Sequence, residues 1–230
     1  MVTGLYDIFN ERWGMQTVWI YSDPHFGENE LESGLINKPA DEEQVRRINS
    51  KVGRSDTLIL LGDIGDSKWL KELRGYKVLV TGNHDFGVSN YKRDVRSWVY
   101  DKLTTSKEEV YERLAKEYPN DRITRYDIDH TAWEFVVDNR LCDEVYTGPL
   151  IIGPKLILSH EPISAQGLYN IHGHIHQMTP ATDHDMNVCS MNINYTPVNL
   201  NQLMKRGLTS KVESLHRQTI DRATERSARK

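Results

Sequence analysis

The sequence predicts a mixed α/β fold built on buried parallel strands. Three observations carry this. Short apolar runs rich in Val, Ile and Leu recur along the chain. Helical patterns separate the first of them, giving the order strand, helix, strand, helix, strand. Small or polar residues follow each run, as expected where a strand buried on both faces ends in a tight loop.

Elements follow in order. Residues 1–15 read as a loosely attached leader with a short helical stretch around Tyr6–Trp13. Strands are expected at Thr17–Tyr21, Thr57–Leu61, Lys77–Val80, Leu150–Ile152 and Leu156–Leu158. Asp41–Lys51 reads as a helix, with Asp41 as N-cap and Val45 and Ile48 facing inward. Ser67–Arg74 reads as a second, burying Trp69, Leu70 and Leu73. From about 90 to 147 the rhythm breaks, and this block reads as an inserted, cap-like segment of a single domain spanning 1–230. Within it, Ser106 and Glu109 form a capping box ahead of a helix near Lys107–Glu117, closed by Pro119. Arg122–Val137 is a mixed stretch with strand character. From Lys205 onward, eight Lys or Arg stand against three Asp or Glu. Ser210 with Glu213 and the stripe Val212, Leu215, Ile220 suggest a peripheral helix with a solvated end, in preference to a nucleic-acid arm.

Composition bounds the function. The chain has 230 residues and a net charge of −4, enough for one domain at ~150 residues per domain and no lure for nucleic acid in bulk. Hydrophobic residues make up 38% and charged residues 27%, a globular mixture that argues against wholesale disorder. No apolar run approaches the ~18 residues that span a bilayer, so no membrane partner is expected. The N-terminal stretch carries Asp7 and Glu11 and lacks an apolar core, unlike a secretory signal. Cys142 and Cys189 lie far apart in no Cys-x-x-Cys pattern, which disfavours a disulfide framework or thiolate zinc cluster and fits the cytoplasm.

Chemistry-bearing residues sit just after the apolar runs. Ser22-Asp23-Pro24-His25 follows the first, and Gly62-Asp63-Ile64-Gly65-Asp66 the second. Thr81-Gly82-Asn83-His84-Asp85 follows the third. Ser159-His160-Glu161 and His172-Gly173-His174-Ile175-His176 follow later ones. Ligands bind at the carboxyl ends of strands in open α/β sheets. Alternation in Asp23-x-His25 and His174-x-His176 puts each pair on one face of an extended segment. Carboxylates, imidazoles and an amide oxygen suit Mn, Fe, Zn, Co or Ni better than Ca. Two such ions roughly 3.5–4 Å apart can share a carboxylate and activate a bridging water for displacement at phosphorus.

These five blocks, in this order across Trp19–His176, resemble the calcineurin-like metallophosphoesterase superfamily. The Ser-Asp-x-His-Phe-Gly opening is most similar to small bacterial and phage phosphoesterases, and Met186–Leu203 resembles the family's closing strand and turn. The resemblance implies a four-layer αββα sandwich of two mixed sheets flanked by helices. It implies one divalent ion on Asp23, His25, Asp63 and His176, and another on Asp63, Asn83, His160 and His174, with manganese the ion for assay. It further implies a metal-bridging hydroxide as nucleophile, His84 as general acid, and Asp66 hydrogen-bonded to His84. The family's protein phosphatases carry Arg and Glu where this chain has Ser67 and Asp85. A small phosphodiester or nucleotide is therefore expected over a phosphoprotein.

Other residues draw simpler readings. His130, His184 and His216 read as satisfied polar residues. The resemblance gives His172 no metal role, and Asp85 reads as a local cap or pair. Glu161 and Tyr195 are candidates to border the site. Trp69, Trp98 and Trp133 read as packing. Two rival functions stand beside the hydrolase. An inactive scaffold of the same fold is disfavoured because every ligand of the motif is present. A nuclease would share the metal chemistry but needs a basic channel, and only the tail is basic.

Overall fold

Parallel pairing of the apolar runs sets the architecture. The computed structural model describes residues 16–85, 93–101, 106–119, 121–127, 132–153, 155–180 and 182–213. The leader with its helical stretch, His130, and the tail beyond 213 with Leu215, His216 and Ile220 lie outside the described residues. The chain runs β1 (Val18–Tyr21), α1 (Glu30–Ser33), α2 (Asp41–Asn49), β2 (Thr57–Leu60), β3 (Tyr76–Val80), β4 (Arg93–Asp101), α3 (Lys107–Glu117), β5 (Arg122–Asp127) and β6 (Ala132–Arg140). It continues through β7 (Glu144–Tyr146), β8 (Leu150–Gly153), β9 (Leu156–Leu158), β10 (Tyr169–His172), β11 (Asp185–Asn187), β12 (Val198–Asn199) and α4 (Leu200–Lys205). Short 3-10 turns occupy Ser67–Lys71, Asn83–Asp85 and Ser190–Ile193.

Two compact units result, residues 1–87 with 144–230, and residues 88–143. The larger holds two mixed sheets, ordered β12-β1-β2-β3-β7 and β11-β10-β9-β8. Strands β1, β2, β3 and β7 are mutually parallel, with Val18 opposite Thr57 and Thr57 opposite Tyr76. Strands β9, β10 and β11 are parallel too, whereas β12 and β8 close their sheets antiparallel. Both sheets feed one apolar cluster. Val18, Ile20, Ile59 and Val78 of the first pack with Ile152, Leu156, Leu158 and Ile171 of the second. β2 is buried at all four positions, which is why its sequence shows a continuous apolar run and not an alternation.

The smaller unit, residues 88–143, has the antiparallel sheet β4-β6-β5 and helix α3. The Ser106–Glu109 capping box forms as read, and Val110 and Leu114 pack on Phe135, with Trp133 against the same cluster. β4 and β7 carry no apolar run, RDVRSWVYD and EVY respectively, and the sequence reading did not single them out.

Three local readings need correction. The N-cap of α2 is Ala40, without a side-chain cap bond. Asp41 is the first helical residue, and its carboxylate accepts instead from Gly27 N at 2.7 Å and Lys38 Nζ at 2.8 Å. The inward face of α2 centres on Gln44 and Ile48, while Val45 is half-buried. Gln44 accepts from Tyr21 Oη at 2.6 Å and donates to Pro24 O at 3.0 Å, so it ties α2 to the loop after β1. The segment after Asp66 is a 3-10 turn ending at Lys71, not a helix to Arg74. Residues 206–211 form turns, and the helix read from Ser210 through Leu215 and Ile220 falls mostly outside the described residues.

Candidate metal centre

Parallel strands deliver their polar loops to one edge of each sheet. Loop contacts then bind the two edges of the larger unit together. Asp23 N donates to Gly62 O at 3.1 Å, and Ser22 Oγ to Leu61 O at 2.7 Å. His174 N donates to both Asp23 carboxylate oxygens, at 3.1 and 3.0 Å. His160 Nδ1 donates to Leu61 O at 2.7 Å, which leaves Nε2 to face the loops.

Closeness here demands glycine. A Cβ on Gly173 would lie 2.0 Å from Ser22 Oγ and 2.1 Å from Asp23 Oδ2. One on Gly82 would lie 2.3 Å from Asp63 Oδ1. The candidate ligands also carry backbone strain. Asp23, His25, Asp63, His174 and His176 all have positive φ, between 45° and 68°. A positive φ is uncommon outside glycine and costs of order 1–3 kcal/mol each, and such residues cluster at functional sites.

Asp63 stands at the centre, 2% exposed. Its Oδ2 is 3.3 Å from His160 Nε2 and 3.8 Å from His25 Nε2, and its Oδ1 accepts from His84 N at 2.9 Å. On one side, His160 Nε2 also lies 2.9 Å from Asn83 Oδ1 and 3.1 Å from His174 Nδ1. The predicted set Asp63, Asn83, His160 and His174 is therefore together. On the other side, ligand atoms of Asp23, His25 and Asp63 lie within 4.8 Å of one another. His176 joins them through Asp23, at 4.0 Å from Nε2 to Oδ1, and its ring is 5.6 Å from that of His25.

These residues fit divalent ions. His25 is 1% exposed, and its Nε2 is buried with no hydrogen-bond partner, an arrangement that costs free energy unless a donor or a cation completes it. Burial opposes charge on His160, but hydrogen bonding to Asp63 and the nearby Asp23 outweigh it and raise its pKa to about 9. Burial likewise opposes charge on Asp63, and the bond from His160 holds it below its usual value. The carboxylates thus draw positive charge to this spot.

His84 is exposed, with its ring 5.3 Å from the His25 ring. The expected bond from Asp66 to His84 is replaced. Asp66 N-caps its 3-10 turn, accepting from Lys68 N at 3.1 Å and pairing with Lys68 Nζ at 2.6 Å. Tyr195 reaches the cluster only through Cys189. It is 3% exposed, packs with Leu35 and Cys189, and donates to Ile36 O at 2.8 Å. Glu161 is exposed and lines a cavity of about 210 Å³ beside Asn83, His160 and Thr81. His172 is fully buried, with Nδ1 donating to Gly173 O at 2.9 Å. His184 is half-buried beside Asp183.

Asp85 pairs locally as read and reaches further, while Glu28 and Cys189 gain roles outside that reading. Asp85, 3% exposed, accepts from Asp63 N (2.8 Å), Ile64 N (3.1 Å) and Gly82 N (2.8 Å), clamping both central loops. Glu28 Oε2 accepts from His25 Nδ1 at 2.9 Å, fixing the tautomer that points Nε2 inward. Cys189 brings Sγ within 4.8 Å of ligand atoms of Asp23 and His176. Asp85 sits inside a block already singled out and Glu28 lies one turn from His25. Cys189 is signalled by nothing in its local sequence.

No protein-family model matches the chain, and no curated protein matches it. A crystal structure of a protein of unknown function from Aquifex aeolicus is similar, with TM-score 0.51 and 19% identity over 83% of this chain and 98% of that one. That likeness concerns the fold alone. Among the described residues, no helix is long and apolar enough to cross a membrane.

Proposed function

We propose that this chain is a binuclear-metal phosphoesterase of the calcineurin-like type, with the family's four-layer sandwich, acting on a small phosphodiester or nucleotide. One observation carries the reading. Asp63 lies between two groups of ligand-capable side chains, 3.8 Å from His25 and 3.3 Å from His160, as a shared carboxylate would. Asp23, His25, Asp63 and His176 would hold one ion, and Asp63, Asn83, His160 and His174 the other.

Bound there, the ions would supply positive charge for the phosphoryl oxygens and an activated water for attack. The chain's own residues prepare that chemistry. Asp85 and the glycine contacts fix the loops, so the ligands need not reorganise when charge develops. His84 is exposed beside His25 and free to give a proton to the departing oxygen. Asp66, engaged by Lys68, does not orient it.

The test is a substrate panel with Mn²⁺: a chromogenic monoester and diester, cyclic nucleotides, and oligonucleotides. Turnover of a small ester is expected, with His84→Ala slowed by roughly 10²–10⁴ and metal content kept. Well under one equivalent of transition metal, with no turnover after Mn²⁺ is added, would leave the inactive-scaffold reading. Cleavage of oligonucleotides alone would favour the nuclease.

A further inference from the structure

The cluster around Asp23 has a member of different chemical character. Cys189 follows β11 and is fully buried. Its backbone bridges to Ser22, and its N–H is held by Asn187 Oδ1 at 3.0 Å. The next residue, Ser190, donates through Oγ to Asp23 O at 2.8 Å and through N to Ser22 O at 2.9 Å. These bonds fix the thiol against the Asp23 loop.

From that position, Sγ, an Asp23 carboxylate oxygen and an imidazole nitrogen of His176 all lie within 4.8 Å of one another. A carboxylate, an imidazole and a thiol are the ligand types of mixed zinc sites, where metal–sulfur bonds of about 2.3 Å accompany shorter bonds to N and O. His25, whose buried Nε2 has no partner, groups with the same Asp23 within 4.8 Å, a second observation that a cation there would satisfy. His176 is the open member, its side chain 25% exposed, so an ion has a path in.

We infer that Cys189 is a sulfur ligand for the ion held by Asp23 and His176, and that this position selects a thiophilic ion such as Zn²⁺ or Co²⁺ over Mn²⁺. The inference rests on the metal-centre reading and sharpens it. The position between Asp63 and His160 offers only oxygen and nitrogen, so the two positions differ in hardness. When the ion binds, the thiol proton leaves to solvent and sulfur donates as thiolate.

Electronic absorption tests this without reference to turnover. Protein stripped with chelator is titrated with Co²⁺ under anaerobic conditions. A thiolate-to-cobalt charge-transfer band in the near ultraviolet is expected, saturating at one ion per chain. It should vanish in Cys189→Ser and persist in Cys142→Ser. Zinc affinity in Cys189→Ser should fall by at least the 10–100-fold seen for lost outer partners, with manganese affinity little changed. If Cys189→Ser does not fold, ¹¹³Cd resonance on the unaltered protein answers the same question, since sulfur ligation shifts the signal far downfield. Cobalt bound with visible bands but no charge-transfer band would overturn the sulfur ligand and leave the metal centre standing. No cobalt bound at all would overturn both.

Discussion

Replacing Asp85 by Ala removes the clamp between the two central loops. Three backbone N–H groups lose their acceptor: those of Asp63, Ile64 and Gly82, at 2.8, 3.1 and 2.8 Å. Water cannot readily take over, because Asp85 is only 3% exposed. Each orphaned buried donor costs about 1–3 kcal/mol, and removing a desolvated carboxylate returns part of that. A net loss of about 3 kcal/mol follows. Asp85→Asn should cost about half as much. Its single carbonyl oxygen, placed where Oδ2 stands, keeps the bonds from Asp63 and Gly82 and forfeits only the one from Ile64. Urea unfolding of metal-free protein gives both values, and a Mn²⁺ titration of the folded variants should show weakened binding, since Asp63 is no longer pinned at φ 52°. If Asp85→Ala unfolds within 1 kcal/mol of the parent and binds Mn²⁺ equally well, the clamp is not what holds Asp63.

Further outcomes follow from single contacts. In Gly173→Ala the new Cβ must push Ser22 Oγ and Asp23 Oδ2 back by about 1 Å, which should weaken metal binding. Calorimetric metal titration should show the loss, and an unchanged affinity would mean the loops yield without moving Asp23. Glu28→Ala should weaken metal binding by about 10–100-fold, as loss of a carboxylate behind a ligating imidazole does. Glu28→Gln, which can still accept from Nδ1, should recover most of it. Equal losses in the two variants would remove the hydrogen bond from the account.

Much of this arrangement was legible in the sequence because parallel strands buried on both faces write themselves as plain apolar runs. Thr57–Leu60 is the clearest case. Such strands end in loops at one sheet edge, so the polar residues after them had to share a neighbourhood. What stayed hidden depends on partners distant along the chain. Cys189 comes near Asp23 only because β11 pairs beside β10, and the three residues of β7 are too few to carry a pattern. Asp66 misled for a local reason. An aspartate two residues before a lysine at the start of a turn is drawn to cap it, and Lys68 outcompetes His84. Val45 misled because helix α2 turns a polar glutamine inward, where Tyr21 and the Pro24 carbonyl satisfy it.

The left-handed backbone at Asp23, His25, Asp63, His174 and His176 sets stability against the proposed metal centre. Glycine or asparagine would rest there more comfortably than histidine does. Replacing His176, with φ 46°, by Asn should therefore yield a hardier protein with a weakened proposed ion site, and screens for heat tolerance alone would drift towards such chains.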